Sequence, residues 1–141
     1  MQRIFYFFCT ALFLTLFVGC GSGLVPLSGT VTFSDDGTPL TTGSIAFRQV
    51  GGGHEGRATI QPDGTYSATF GGERGLPPGT YQVVVFAQAT IPIDEEAGIF
   101  NYEQLINRRY EDPATSGLSV TVNASTRTFD IQVDRFTGGR W

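Results

Sequence analysis

The chain has 141 residues with nine arginines, no lysine, thirteen acidic residues and a net charge of −4. This length suits one domain, and an acidic chain without a basic cluster lacks the electrostatic footprint that nucleic acids require. The absence of lysine excludes Schiff-base chemistry and lysine general bases. The only cysteines are Cys9 and Cys20, so the chain after Cys20 has no pair from which to form a disulfide.

Residues 1–19 have the pattern of a secretory signal peptide. Arg3 precedes an apolar run over residues 4–18, and this run is shorter than the roughly 20 residues that a membrane-spanning helix needs. The end of the run, L-F-V-G-C at residues 16–20, resembles the bacterial lipobox, although Phe17 stands where leucine is commonest. A plain signal peptide and an uncleaved membrane anchor remain as alternatives.

The lipobox resemblance implies that Cys20 is the lipid attachment site and the mature N-terminus. Acyl chains there would hold the chain at a membrane, since each buried methylene contributes about 0.8 kcal/mol. We therefore predict a signal peptide over 1–19, a flexible tether with acylated cysteine over 20–27, and a folded domain over 28–141. The expected location is the bacterial cell envelope, anchored to the outer or inner membrane, with the domain in the periplasm or at the exterior.

Alternating polar and apolar residues after the tether predict a single all-β domain. Turn signals such as P-D-G at residues 62–64 separate the apolar runs. The run at 80–87 is almost continuously apolar, which predicts a central strand covered on both faces, or a strand with one face covered by a neighbouring loop. The predicted strands are residues 29–33, 44–48, 57–60, 65–70, 80–87, 118–122 and 128–133. Seven short strands at this spacing are typical of an immunoglobulin-like or transthyretin-like β-sandwich.

Two further local structures are predicted in the second half of the chain. The alternation stops between residues 90 and 113, and Asn101 followed by Gln104 could form a capping box, which predicts a short helix through about Asn107 in this insertion. The polar residues 123–126 lie between two strictly alternating segments and predict a hairpin.

Four motifs in order resemble the carboxypeptidase regulatory-like domain. They are G-T-V at 29–31, G-T-P-L at 37–40, D-G-T-Y at 63–66 and P-G-T-Y at 78–81. The resemblance covers about residues 28–90, and the remainder looks like small lipoproteins of planctomycete-type bacteria. It implies a seven-stranded, transthyretin-like sandwich that serves as an accessory or binding module and not as a catalyst.

No constellation of catalytic or metal-binding residues is recognisable. His54 is the only histidine, and it has no second histidine or thiolate partner in the predicted domain. The acidic runs 94–96 and 111–112 could serve hydrolysis only if a cleft held them about 5 to 10 Å apart. We therefore expect a protein that is not an enzyme and has no catalytic residue, metal or cofactor.

Aromatic residues, together with Arg140, are the remaining candidates for a ligand surface, which we predict at Tyr102, Tyr110, Arg140 and Trp141. The leading hypothesis is a lipid-anchored structural or protein-interaction module of the envelope. The alternatives are a carbohydrate- or peptide-binding lipoprotein that uses the insertion 90–113 and, more weakly, a hydrolase that uses loop carboxylates. The expected partners are the membrane, through acylated Cys20, and an envelope protein or glycan; nucleic acid is not expected, and the chain should be a monomer.

Overall fold

The computed structural model describes Gly21 and residues 23–138, which contain eleven strands and one short 3-10 helix, η1. No helix among these residues is long and apolar enough to cross a membrane. The elements are β1 Ser28–Phe33, β2 Ser44–Gln49, β3 Glu55–Thr59, β4 Thr65–Ser67, β5 Thr69–Phe70, β6 Glu73–Arg74, β7 Gly79–Phe86, β8 Gln88–Asp94, β9 Ile99–Gln104, η1 Arg108–Glu111, β10 Leu118–Val122 and β11 Ile131–Val133.

The larger sheet has six strands in the order β10-β7-β2-β3-β5-β6, and its neighbours are antiparallel. Its internal strand β7 pairs with β10 and β2 and buries Val83, Val84 and Val85 completely. Because successive residues of a strand point to opposite faces, β7 is covered on both faces at this point. This confirms the prediction that its apolar run made.

The smaller sheet has the order β11-β1-β4, with β11 parallel and β4 antiparallel to β1. The core lies between the two sheets and is formed by side chains that alternate inward along both. Its largest fully buried members include Tyr81, Phe47, Leu27, Leu40 and Ile45. The all-β sandwich predicted from the sequence is therefore confirmed, and each of the seven predicted segments contains a strand.

The predicted strand at 65–70 belongs to both sheets. Its first half, β4, pairs with β1, and its second half, β5, pairs with β3. Ala68 lies between the two halves and is fully buried. The small side chain at this position lets the segment pass through the core from one sheet to the other.

The prediction of a helix through Asn107 is wrong. Residues 88–104 instead form the hairpin of β8 and β9, and the only helical turn in this region of the described chain is η1. The η1 turn is capped by Asn107, whose Oδ1 accepts a hydrogen bond from the backbone N–H of Arg109 at 3.0 Å. The capping signal was assigned to Asn101, but the strand pairing of β9 overrides that local preference.

Two predicted turns connect strands of different sheets. The chain leaves β10, which pairs with β7, and after residues 123–126 enters β11, which pairs with β1, so the hairpin prediction at 123–126 is wrong. The turn at 61–64 has the expected local form, with Gly64 at φ +83°, but the strands on its two sides, β3 and β4, also belong to different sheets. A Cβ at Gly64 would lie 2.7 Å from the Cβ of Pro39, so this position also lacks space for a side chain.

The folded part of the chain begins earlier than the predicted boundary at residue 28. Val25 and Leu27 are buried in the core, and Val25 exchanges two backbone hydrogen bonds with Leu76, at 2.8 and 2.9 Å. Residues 25–27 therefore belong to the sandwich and not to a flexible tether. The predicted signal peptide 1–19 and the predicted sites Cys20, Arg140 and Trp141 lie outside the described residues.

Candidate functional site

The hairpin of β8 and β9, hereafter the apolar hairpin, carries the largest group of exposed apolar side chains in the described chain. Its two strands pair only with each other and join neither of the main sheets. Ile93 is 66% exposed and Tyr102 is 65% exposed. The large apolar residues exposed on the hairpin are Ile91, Ile93, Ile99, Phe100 and Tyr102.

Both faces of the apolar hairpin are apolar. The register places Tyr102 opposite Thr90 and Phe100 opposite Pro92, so these aromatic side chains share one face. Ile91 lies on the other face, opposite Asn101, and a register irregularity follows Pro92. An isolated two-stranded ribbon cannot bury either face by itself, so these side chains stay in water unless a partner covers them.

The tip of the apolar hairpin is acidic. The Oδ1 of Asp94 accepts hydrogen bonds from the backbone N–H groups of Glu96 and Ala97, each at 3.1 Å, and so closes the turn. Glu95 and Glu96 are exposed beside it. The tip is therefore solvated and anionic, and the apolar surface lies along the strands.

The base of the apolar hairpin is fixed to the sandwich. The backbone N–H of Leu105 donates to the carbonyl of Ala87 at 3.1 Å, and the next residue, Ile106, is fully buried. The Nε2 of Gln104 donates to the Oε1 of Glu111 at 2.6 Å, which links β9 to η1. These contacts join the base of the exposed ribbon to the sandwich.

Tyr110 does not lie on a ligand surface, contrary to the sequence-based prediction. It is 2% exposed, and its hydroxyl donates to the Oδ2 of Asp134 at 3.1 Å. Asp134 also accepts hydrogen bonds from Ser34 and from Arg109. The hydrogen bonds from Ser34 and then from Tyr110 lower the pKa of Asp134. The positive charge of Arg109 lowers it further, by a smaller amount. Tyr110 therefore stabilises the join between η1 and the end of β11.

Of the four predicted surface residues, the structure places only Tyr102 on an exposed surface, because Tyr110 is buried and the other two are not described. The prediction missed the four apolar neighbours of Tyr102. A signal for them was present: two apolar pairs, at 91 and 93 and at 99 and 100, flank the turn-forming segment D-E-E-A-G at 94–98. Such a pattern predicts a hairpin whose apolar side chains are not part of the core strands.

The two acidic runs are not brought together. Asp94 lies at the tip of the apolar hairpin, whereas Glu111 is bonded to Gln104 at its base. Strand β9, Ile99–Gln104, lies between them, and its length is roughly 17 Å at about 3.3 Å per residue. This exceeds the roughly 5 to 10 Å that paired carboxylates need in glycoside hydrolysis.

His54 packs against an aromatic residue. Its ring lies 5.2 Å from that of Phe70, centroid to centroid, in an edge-to-face arrangement. Among the described residues, no three histidine, cysteine or acidic side chains come close enough together to hold a metal ion. His54 is therefore an exposed loop residue with one aromatic contact.

Comparison with known proteins gives likeness in structure only. No protein-family model matches the chain, and no curated protein matches it. Two crystal structures of BcpA, the major pilin subunit of Bacillus cereus, match 79% and 82% of the chain at 12% and 14% identity, with TM-scores of 0.52 and 0.51. The chain spans only 30% of the pilin's length. A DUF3823 family protein from Bacteroides ovatus matches 78% of the chain and 44% of its own length, at 21% identity and a TM-score of 0.43.

At these identities, the likeness to the pilin concerns the fold. Together with the two sheets and the core between them, it defines the molecule as a β-sandwich. The functional question therefore depends on the surfaces of this chain, of which the apolar hairpin is the most distinctive.

Proposed function

We propose that the protein is a lipid-anchored, non-catalytic β-sandwich module of the bacterial cell envelope that binds another envelope protein through the apolar hairpin. The observation that carries this proposal is the exposure of five large apolar side chains on one ribbon whose base is hydrogen-bonded to the sandwich. Exposed apolar surface of this kind marks protein interaction sites, because water contact is unfavourable and burial against a partner removes it.

The backbone of the apolar hairpin supports the same role. Within the described chain, β8 and β9 each pair on one side only, so each strand offers an open edge with free backbone donors and acceptors. A partner strand could add to either edge while its side chains cover one apolar face. The acidic tip restricts this contact to the sides of the ribbon, since burial of its carboxylates would be costly.

The envelope location rests on the sequence of residues 1–20. The lipobox resemblance supplies the anchor at Cys20, and the four motifs between residues 29 and 81 resemble a family of accessory and binding domains. BcpA, whose fold is similar, is a pilin subunit, and this likeness favours a structural role at a cell surface. A small sandwich without a metal-binding cluster among its described residues fits such a module.

Site-specific photocrosslinking tests the partner interface. A photoreactive amino acid at position 102 of the full chain in native membranes should give one discrete crosslinked product, because Tyr102 lies within the covered surface. The matched control is position 50, since Val50 is 57% exposed but lies outside the apolar hairpin. The pair of changes Ile93→Ser and Ile99→Ser should weaken the product at position 102 by about tenfold, a loss of roughly 1.4 kcal/mol.

Equal products from positions 50 and 102, or none from position 102, would contradict the interface. A product that persists unchanged with both isoleucines replaced would also contradict it, because the contact would then not depend on apolar burial. Circular dichroism of the double variant is the control for folding.

The anchor is tested separately. Cys20→Ser should abolish metabolic palmitate labelling and release the chain from the membrane fraction, because acylation needs the thiol. Globomycin, which blocks the lipoprotein signal peptidase, should cause the unprocessed chain to accumulate. Labelling that survives Cys20→Ser would show that the anchor prediction is wrong.

A further inference from the structure

A wide groove is lined by residues of β1, β2, β3 and β4, together with Phe86 at the end of β7. Its volume is about 1200 Å³, and it is open to solvent. Sites for small ligands commonly enclose roughly 300 to 1,000 Å³, so this groove has room for a ligand of several linked units. We call it the hydroxyl groove, after the serine and threonine side chains that line it.

Two rows of side chains cross the hydroxyl groove. In the first row, Ser44 is paired with Phe86 of β7 on one side and with Thr59 of β3 on the other. In the second row, Ser28 is paired with Ser67 of β4 and forms a parallel bridge with Thr128. Neighbouring strands lie about 4.8 Å apart, so each row presents polar groups at short, regular intervals.

The hydroxyls of these rows have hydrogen-bonding capacity left over. Other groove hydroxyls are occupied: Thr30 donates to Asp130, Thr65 to Asp63 and Thr69 to the carbonyl of Arg57. Among the described residues, the two rows contain five hydroxyls without such a bond. They belong to Ser28, Ser44, Thr59, Ser67 and Thr128. Each hydroxyl can donate one hydrogen bond and accept two, which suits a ligand that carries hydroxyls itself.

The charged groups of the hydroxyl groove balance one another. Arg57 lies 3.1 Å from Glu55, and Arg48 lies 3.6 Å from the same carboxylate. The fourth charged residue, Asp130, accepts two hydrogen bonds from Thr30. Two arginines and two acids give no net formal charge, so the groove has no surplus charge to offset the cost of desolvating a charged ligand.

Phe86 adds an apolar face at one end of the first row. Its side chain is 39% exposed, and Ala46 forms part of the groove floor nearby. An exposed aromatic ring beside several hydroxyl groups provides an apolar contact and hydrogen bonds within one site. Sugars need both, because their rings have apolar C–H faces and hydroxyl edges.

We propose that the hydroxyl groove binds a neutral oligosaccharide. The sugar hydroxyls bond to the two rows, and one ring stacks on Phe86. This site is separate from the apolar hairpin, so it extends the proposed function and does not depend on it. The ligand class follows from the balanced charge, the five available hydroxyls and the volume of the groove.

Calorimetric titration of the full chain in a detergent without a sugar headgroup tests the proposal. The neutral probes are the hexasaccharides of maltose, cellulose, mannan and chitin type, and the anionic probe is a galacturonic acid hexamer. We expect saturable binding of at least one neutral probe with a Kd between about 10 μM and 1 mM, and at least tenfold weaker binding of the anionic probe.

Three variants locate the binding. Thr59→Trp fills the first row and should weaken binding at least tenfold. Phe86→Ala removes the aromatic ring without adding bulk, and it should also weaken sugar binding, by about fivefold or more. Ser119→Trp makes a change similar to Thr59→Trp at an exposed position of β10 outside the groove, and should leave the Kd within about twofold.

The proposal is overturned if no neutral probe saturates, if the anionic probe binds as tightly as the neutral ones, or if Thr59→Trp and Ser119→Trp have equal effects. Replacement of Ile93 and Ile99 in the apolar hairpin should not change the sugar affinity. Failure of the hairpin interface and failure of the sugar site are therefore distinguished by separate measurements.

Discussion

Arg135 joins the turn after β1 to the segment that follows β11. Its Nε lies 2.8 Å from the Oδ2 of Asp35, its Nη2 lies 2.9 Å from the Oδ2 of Asp36, and its guanidinium carbon lies 3.7 Å from the ring centroid of Phe33. The pKa of Asp36 is lowered to about 2, first by the backbone and side-chain hydrogen bonds from Thr38 and then by Arg135. This single turn therefore depends on an ionised carboxylate.

Acid should weaken the fold partly through Asp36. Its pKa falls from 3.8 to about 2 on folding, so the unfolded state takes up the proton first as the pH drops. The stability that Asp36 contributes is complete above about pH 4 and is lost as the pH falls towards 2. Urea unfolding at pH 2, 3, 4 and 6 should show a shallower pH dependence for Asp36→Asn than for the parent chain.

Other carboxylates also titrate in this range, so the difference between the two curves is the relevant quantity. Glu73→Gln removes an exposed carboxylate on β6 and serves as the control. A control curve that flattens as much as that of Asp36→Asn would contradict the assignment to this turn.

At the scale of elements, the apolar hairpin is nearly independent of the sandwich. Its strands pair with each other and share no sheet with the core strands. Ile93→Ser combined with Tyr102→Ser should therefore change the free energy of unfolding by no more than about 0.5 kcal/mol. Equilibrium urea unfolding measures this, and a loss above roughly 2 kcal/mol would show that the exposed side chains support the fold.

The strand positions could be predicted because alternation is a local signal. Val31 and Phe33, for example, point inward from β1 as their spacing predicts. Strand partners are not a local property: no residue within 65–70 shows that β4 and β5 enter different sheets, and nothing in 123–126 shows that β10 and β11 do. The segment 101–107 was mispredicted for the same reason, because its pairing with β8 outweighs a two-residue capping signal.

The candidate site was predictable only in part. Tyr102 was a candidate for a ligand surface because it is an aromatic residue in the insertion 90–113, and it is exposed. Tyr110 has the same residue type and lies in the same insertion, yet the hydrogen bonds to Asp134 place it in the core. The hydroxyl groove was not predicted, because its two rows join residues as distant as Ser28 and Thr128.

At the scale of the whole molecule, one core connects both sheets. Phe47 on β2 is fully buried, and its ring centroid lies 6.1 Å from that of Tyr66 on β4 in the smaller sheet. Phe47→Ala should cost about 3 to 5 kcal/mol in the free energy of unfolding, because it leaves a cavity between the sheets. Phe86→Ala, on an adjacent strand but exposed, should cost less than about 1.5 kcal/mol.

Equilibrium unfolding of both phenylalanine variants measures this difference. Similar losses for the two would contradict a core located between the sheets. A single cooperative transition in the parent chain, seen by both tyrosine fluorescence and circular dichroism, would show that the sheets unfold together.

The bonds between Val25 and Leu76 determine how far the domain can move from a membrane. If Cys20 is acylated as proposed, only residues 21–24 lie between the lipid and the first residue bonded into the sandwich. Five residue steps span at most roughly 18 Å when fully extended. The sandwich would then remain within one domain diameter of the bilayer, with the end that contains Val25 nearest to it. A partner or a glycan would therefore have to come to the membrane surface to be bound.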